Sequence, residues 1–316
     1  MRDLPLIGIT QGDPSGIGLE IAAKALSEPL LYQYCLPIIF GEKKYFKNLK
    51  KDIPVLFPDH PYENSSYAAL ELATQFCLQR KLGAMVTLPV NKNQISTDEG
   101  IKFLGHTDYL KEKCERFYKK RFYETMFFVG KKAGGKKEKI ALVTTHIPLR
   151  KVSTELSADK VKHTILNVHN SLLHTFGVQN PRLALLGLNP HAGDGGLLGE
   201  EEKRVLLPAI RWARKHKFDL HGPFPADSFF ATRWNKFDAT VALYHDQGLI
   251  PFKQRNFLHA VNVTLGLPII RTSVDHGVAY DIAGSGKADP SALFAAIELA
   301  AQLSKKGSCL PKGRKI

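Results

Sequence analysis

Residues 183–215, LALLGLNPHAGDGGLLGEEEKRVLLPAIRWARK, hold the pattern on which the fold assignment turns. Leu183 to Leu188 is a short apolar run of buried-strand length, and Glu200 to Lys215 repeats its apolar positions at helical spacing. Between them Asn189-Pro190-His191 and Ala192-Gly193-Asp194-Gly195-Gly196 interrupt regular structure. The same alternation runs along the chain. Leu6 to Thr10, Pro37 to Phe40, Ala84 to Leu88, Ile140 to Thr144 and Ala239 to Leu243 read as strands, and Ile17 to Leu26, Tyr67 to Arg80 and Ala158 to His174 read as helices. Strands alternating with helices predict an α/β chain with a largely parallel sheet. At 316 residues the chain exceeds what one hydrophobic core serves, so two domains or two lobes are expected.

Composition narrows the class. Hydrophobic residues are 44% and charged residues 23%, which suits a packed globular protein and not a disordered or collagen-like one. No apolar run approaches the roughly 18 residues of a membrane span, and no secretory signal is readable in Met1-Arg2-Asp3-Leu4-Pro5. Cys35, Cys77, Cys114 and Cys309 lie far apart without a C-x-x-C pair, against a disulfide framework or a thiolate zinc site; a reducing cytoplasm is the expected compartment.

The net charge of +14 raises nucleic acid as a partner. Lys111 to Lys139 carries a net of +7, and Lys305 to the C-terminus holds five basic and no acidic residues, so two segments account for 12 of the 14. Lys131 to Lys137 reads as the tip of a hairpin between Met126 to Val129 and Ile140 to Val143. Aromatics are 9% of the chain and no aromatic-basic RNA motif occurs. A basic arm and tail fit better than a nucleic-acid or membrane partner.

In open α/β sheets the chemistry lies beyond the carboxyl ends of the strands. Three strand ends deliver a histidine there: Thr145-His146, Asn189-Pro190-His191 and Tyr244-His245-Asp246-Gln247-Gly248. Neutral imidazoles are common metal ligands, and three with an open position make a Lewis-acid site, so His146, His191 and His245 are metal-ligand candidates. The second and third are followed by stretches read as glycine-containing turns. His163, His169 and His174 lie on a helix-like stretch and read as structural or exposed. A second group suits anions: His106 and Thr107 after Gly105, with Lys253, Asn262 and Arg271. Gly12-Asp13-Pro14-Ser15-Gly16-Ile17-Gly18 is neither G-x-G-x-x-G nor a Walker A sequence, and reads as a tight strand-to-helix turn.

Several blocks together resemble the 4-hydroxythreonine-4-phosphate dehydrogenase family: Thr144-Thr145-His146-Ile147-Pro148-Leu149, Gly187 to Gly196, Tyr244 to Gly248, Gly105-His106-Thr107-Asp108, Gly222 to Asp227, and Val261 to Gly277. The resemblance runs from Gly8 to about Leu303. It implies NAD-dependent oxidation of 4-phosphooxy-L-threonine at its C3 hydroxyl, followed by decarboxylation to 3-amino-2-oxopropyl phosphate, on the route to pyridoxal 5′-phosphate. It implies one divalent ion (zinc, magnesium or cobalt) on His146, His191 and His245. Substrate contacts fall on His106, Thr107, Lys253, Asn262 and Arg271, with Asp246 and Lys253 the candidates for catalytic work. Asp246 is equally readable as a partner that orients a ligand histidine.

His276 to Pro290 looks like the adenosine loop of isopropylmalate and isocitrate dehydrogenases, which puts His276, Gly277, Asp281 and Asp289 with the cofactor. An acid at Asp281 would accept ribose hydroxyls and repel the 2′-phosphate of NADP. Asp289-Pro290 also reads as a helix N-cap and first turn. The resemblance further implies a two-lobed α/β/α fold, with residues 1–105 plus 261–316 as the first lobe and 106–260, carrying the histidines and the basic hairpin, as the second. The site would lie in the interlobe cleft of a homodimer that shares residues between subunits. A sibling enzyme acting on D-threonate or D-erythronate 4-phosphate would read the same at the metal and cofactor residues. The first loop, Gly12-Asp13-Pro14-Ser15, departs from the Gly-Glu-Pro-Ala of many biosynthetic members.

Overall fold

A computed structural model describes residues 4–47, 49, 52–59, 62–130 and 137–306. The first strands are β1 (Leu6–Thr10), β2 (Leu36–Phe40), β3 (Val55–Leu56) and β4 (Ala84–Thr87). After them come β5 (Thr125–Gly130), β6 (Glu138–Leu142), β7 (Arg182–Leu186), β8 (Asp219–Phe224), β9 (Ala239–Ala242), β10 (Val261–Leu265) and β11 (Arg271–Val274). The helices are α1 (Gly18–Ser27), α2 (Ser65–Leu78), α3 (Lys92–Asp98), α4 (His106–Tyr118) and α5 (Val152–Glu155). They continue as α6 (Ala158–His174), α7 (Leu207–Lys215), α8 (Ala226–Thr232), α9 (His245–Asn256) and α10 (Ser291–Lys306).

The chain divides into two compact units. Of the described residues, the first takes those up to 122 with 261–263 and 267–306, and the second those of 123–260 with 264–266. In the first, five parallel strands run in the order β3-β2-β1-β4-β11. Its core gathers Phe40 and Met85 from the strands with Leu70 and Ala73 of α2 and Leu110 and Cys114 of α4. In the second, β6-β9-β7-β8 are parallel and β5 joins antiparallel to β6. Phe128, Ile140, Leu186, Phe229, Trp234 and Phe252 fill its core. β7 is buried at four consecutive positions, as a strand covered on both faces must be.

Helix α6 has the predicted bounds, because Ser157 accepts the Lys160 N–H as an N-cap. Other expectations need correction. The division after residue 105 moves to Phe122/Tyr123, since α4 buries Tyr109, Leu110 and Cys114 in the first unit's core. The helix expected over 200–215 is present from 201 to 215, but its first part is a π turn (Glu202–Leu206) leading into α7, where Pro208 in the first turn has no N–H to continue the α ladder. Asp246-Gln247-Gly248 is the first turn of α9 and not a loop; Gly248 permits it, since a Cβ there would stand 2.8 Å from Leu142 Cδ2. Asp289 Oδ1 does accept the Ser291 N–H at 2.8 Å, but the first helical carbonyl is that of Pro290. The hairpin expected around 131–137 is formed by β5 and β6, paired from Met126↔Leu142 to Gly130↔Glu138. Its tip at 131–136, the C-terminal tail and Cys309 lie outside the described residues. Among those residues no helix is long and apolar enough to cross a membrane.

Candidate active site

β6, β9 and β7 are neighbours in one parallel sheet, so their carboxyl ends bring His146, His245 and His191 out of three adjacent strands. Buried side chains fix these exits. Thr144 donates to the Leu243 carbonyl from both N–H (3.1 Å) and Oγ1 (2.7 Å). Gln247 accepts the Leu243 N–H on Oε1 at 2.8 Å and donates Nε2 to the Gly187 carbonyl at 2.6 Å, which ties the start of α9 to the end of β7. Glu202, only 5% exposed, accepts the N–H groups of Leu188 and Asn189 on Oε1, each at 2.8 Å. Glu201 spans two of the histidine-bearing segments, accepting from Ser153 Oγ at 2.7 Å and from Asn189 Nδ2 at 2.8 Å; those two bonds hold its carboxyl below the usual range.

The rings of His146 and His245 lie side by side with centroids 5.8 Å apart and planes tilted by 48°. His245 Nδ1 lies 2.8 Å from Asp246 Oδ1. A carboxylate only accepts, so Nδ1 is the donor, and in a neutral ring that leaves the Nε2 lone pair for a ligand. His191 begins a run of five left-handed residues (φ 52°, 55°, 82°, 41° and 65° from His191 to Gly195), a conformation that costs non-glycine residues about 1–2 kcal/mol each. Among the described residues no three His, Cys, Asp or Glu side chains form a group able to hold a metal ion. The pair His146 and His245 therefore suits a divalent ion as a two-imidazole nucleus backed by a carboxylate, and His191 is not brought to it within one chain. Of the remaining second-unit histidines, His163 packs on the Tyr123 ring at 3.7 Å and His169 on the Phe218 ring at 4.1 Å.

In the first unit the anion-binding candidates also converge in part. Arg271, 4% exposed at the start of β11, donates Nε and Nη2 to Thr87 Oγ1 at 3.0 and 2.6 Å, and burial pulls its pKa down to about 10. His106 is the first residue of α4, after Gly105, whose lack of a side chain leaves the helix uncapped there. Burial, then the charges of Arg271 and Lys92, push His106 well below its ordinary pKa, so it is neutral; its Nε2 is enclosed with no hydrogen-bond partner. Lys92, at the start of α3, brings Nζ to 3.2 Å from where a Cβ on Gly105 would stand. A fixed guanidinium at Arg271, the ammonium of Lys92, an orphaned ring nitrogen and the positive end of a helix suit an anion. Lys92 is not legible as a site residue in the sequence, where a lysine opening a short helix is indistinguishable from a surface one. Thr107 follows His106 and Asn262 lies in β10, both in the first unit, whereas Lys253 lies two turns along α9 in the second.

Residues 276–289 are held against α1 and the loop before it. Ile17 N–H donates to the Val278 carbonyl at 2.9 Å; only glycine fits at position 16, where a Cβ would meet that oxygen at 2.8 Å. Glu20 accepts the N–H groups of Gly286 and Ala288, and Lys24 donates to both of their carbonyls at 2.7 Å. Asp281 is exposed, His276 Nε2 is enclosed without a partner, and an added Cβ at Gly277, Gly284 or Gly286 would meet nothing within 4 Å. An open, glycine-lined segment with exposed carboxylates at Asp281 and Asp289 fits the ribose end of a dinucleotide.

A sequence model of the family described as pyridoxal phosphate biosynthetic protein PdxA matches residues 45–300. The chain belongs to the PdxA family. The matched span takes in every candidate of this PdxA-family chain from Lys92 to Asp289. Among relatives, the 4-hydroxythreonine-4-phosphate dehydrogenase of Desulforapulum autotrophicum is 39% identical, covering 94% of this chain and 95% of its own. A crystal structure of the Klebsiella pneumoniae protein of the same name superposes with a TM-score of 0.81 at 30% identity, covering 96% and 98% of the two chains. The PdxA fold also hosts other substrates: a terephthalate 1,2-cis-dihydrodiol dehydrogenase from Burkholderia xenovorans matches at 25% identity and a TM-score of 0.64, covering 94% and 98%.

Proposed function

We propose that this chain oxidises 4-phosphooxy-L-threonine at its C3 hydroxyl with NAD, and that carbon dioxide leaves the resulting β-keto acid to give 3-amino-2-oxopropyl phosphate. Within a PdxA-family chain, the observation that carries the reading is the cationic cluster of Arg271, Lys92 and neutral His106, an anion cradle suited to a phosphate or carboxylate of such a substrate. Thr107 and Asn262 would add orienting hydrogen bonds and Lys253 a further cation. His146, His191 and His245 would hold the divalent ion (zinc, magnesium or cobalt), which when bound lowers the pKa of the C3 hydroxyl and stabilises developing negative charge. Asp246 would orient His245 and fix its tautomer, leaving Lys253 as the group on α9 to move a proton. Asp281 would accept the ribose hydroxyls of NAD, flanked by His276, Gly277 and Asp289. A homodimer that shares its sites is part of the reading. A cytoplasmic setting agrees with Cys35, Cys77 and Cys114 being buried free thiols.

The test is NADH formation by purified enzyme with a divalent metal, comparing 4-phosphooxy-L-threonine with D-threonate 4-phosphate and D-erythronate 4-phosphate. The reading expects the first to be favoured in kcat/KM by at least a hundredfold. A preference for either sugar-acid phosphate would overturn the substrate assignment and leave the metal and cofactor roles standing.

A further inference from the structure

In the first unit β1 lies between β2 and β4, so the chain's winding reverses between β1 and β4. Such a switch point is where open α/β sheets receive ligands. One side chain spans it here. Asp13 stands in the loop after β1 and Asn91 in the loop after β4; the Tyr280 hydroxyl donates to Asp13 Oδ2 at 2.6 Å and accepts from Asn91 Nδ2 at 2.9 Å. Asp13 is itself fixed, 9% exposed, taking the Ser15 N–H on Oδ1 at 2.9 Å while its own N–H donates to the Pro89 carbonyl at 2.8 Å. The Tyr280 ring is 48% exposed, so it adds little to the core; what it contributes is the tether. Ala279 reaches that position in a left-handed conformation (φ 45°), a strain the neighbouring contacts must offset.

We propose that Tyr280, through Asp13 and Asn91, is a positioning residue that sets the affinity for the dinucleotide by pre-ordering the backbone that presents Asp281. The inference rests on the cofactor reading above. The segment is anchored before Asp281 at Val278 and Tyr280, and after it at Gly286 and Ala288. Of these anchors Tyr280 is adjacent to Asp281. A loop ordered before binding loses less conformational freedom when ligand arrives, and the saving is read as affinity. It also gives a role to the aspartate in the first loop: its carboxylate accepts the phenol directly.

The experiment uses the full chain with Tyr280→Phe, Asp13→Asn and the double variant. NAD binding is measured by calorimetry without substrate, backbone exchange by hydrogen–deuterium mass spectrometry, and turnover by NADH formation. Tyr280→Phe keeps the ring and is expected to weaken NAD binding and raise its KM by about 5- to 30-fold, with kcat within twofold and faster exchange confined to 278–288. Asp13→Asn keeps a weaker acceptor and should lose less; the double variant should be no worse than Tyr280→Phe by more than twofold, because the two act through one contact. NAD binding by Tyr280→Phe within twofold of wild type, or a loss confined to kcat, would overturn the proposal. If the wild-type chain binds NADP and not NAD, the cofactor reading fails instead, and the same variants read with NADP decide the positioning role separately.

Discussion

Glu202 grips Asn189 at two points, taking its N–H on Oε1 at 2.8 Å and its side-chain amide on Oε2 at 2.9 Å. This buried carboxylate holds Leu188 and Asn189, the residues just before the left-handed run that starts at His191. Hydrogen bonds to a charged group contribute about 1.5–3 kcal/mol, and their loss here strands buried donors. Glu202→Ala is expected to lower the unfolding free energy by about 2–4 kcal/mol in urea titration and to weaken metal binding about 10- to 100-fold. A stability loss below about 1 kcal/mol would mean the loop holds its shape without Glu202.

Glu71 links α2 to α4. Burial alone would raise its pKa, but hydrogen bonds from Lys113 (2.5 Å), Tyr109 and Gln75 (3.1 Å) outweigh that and hold it below the ordinary 4.5. Below 4.5 the unfolded chain therefore binds the proton first, so this contribution is complete at neutral pH and is lost as pH falls from about 4.5 through the folded value. Glu71→Gln should destabilise the chain at pH 7 and flatten the acid limb of a stability–pH curve. Parallel curves for the two proteins from pH 7 to pH 3 would disprove the linkage.

Chelation of divalent metal is expected to stop NADH formation, and added zinc, magnesium or cobalt to restore it. His191→Ala should abolish turnover while leaving the thermal midpoint within about 3 °C, because the side chain is exposed. Near wild-type activity in this variant after metal is removed would rule out the metal role.

Lys92→Met tests the cation that sequence reading passed over. Losing one charge-assisted contact of about 1.5–3 kcal/mol should lower kcat/KM for the phosphorylated substrate about 10- to 100-fold, with the KM for NAD unchanged. An effect on NAD alone would move Lys92 out of the substrate cradle.

Asp281→Arg replaces a ribose acceptor with a partner for a 2′-phosphate. The ratio of kcat/KM for NADP over NAD should rise at least tenfold; an unchanged ratio would remove Asp281 from cofactor choice.

What the chain discloses in advance depends on how local the cause is. Consecutive apolar residues made β1, β7 and β9 legible, and Ser157 marked the start of α6. The histidines were legible as strand-end residues because parallel β6, β9 and β7 put successive carboxyl ends together. Helices α4 and α9 were not, since their first residues, His106 and His245, are site candidates, glycine stands at Gly105 just before α4 and at Gly248 inside the first turn of α9, and α9 carries Pro251. The π turn at Glu202 and the Asp13–Tyr280 contact, 267 residues apart in sequence, are products of tertiary packing that no short window contains.

The return of the chain to the first unit at Val261 has a consequence during synthesis. Thr87 on β4 and its partner Arg271 on β11 are separated by 184 residues. At roughly 5–20 residues per second, the ribosome needs about 10–40 s to deliver the strand that covers β4. Through that interval β4 presents an unpaired edge of buried-type residues while residues 123–260 emerge and fold as a continuous piece. The nascent chain is thus most exposed to aggregation and to chaperone capture in its N-terminal third, and a stop codon between Ala260 and β11 should yield insoluble product even though the second unit's main segment is complete.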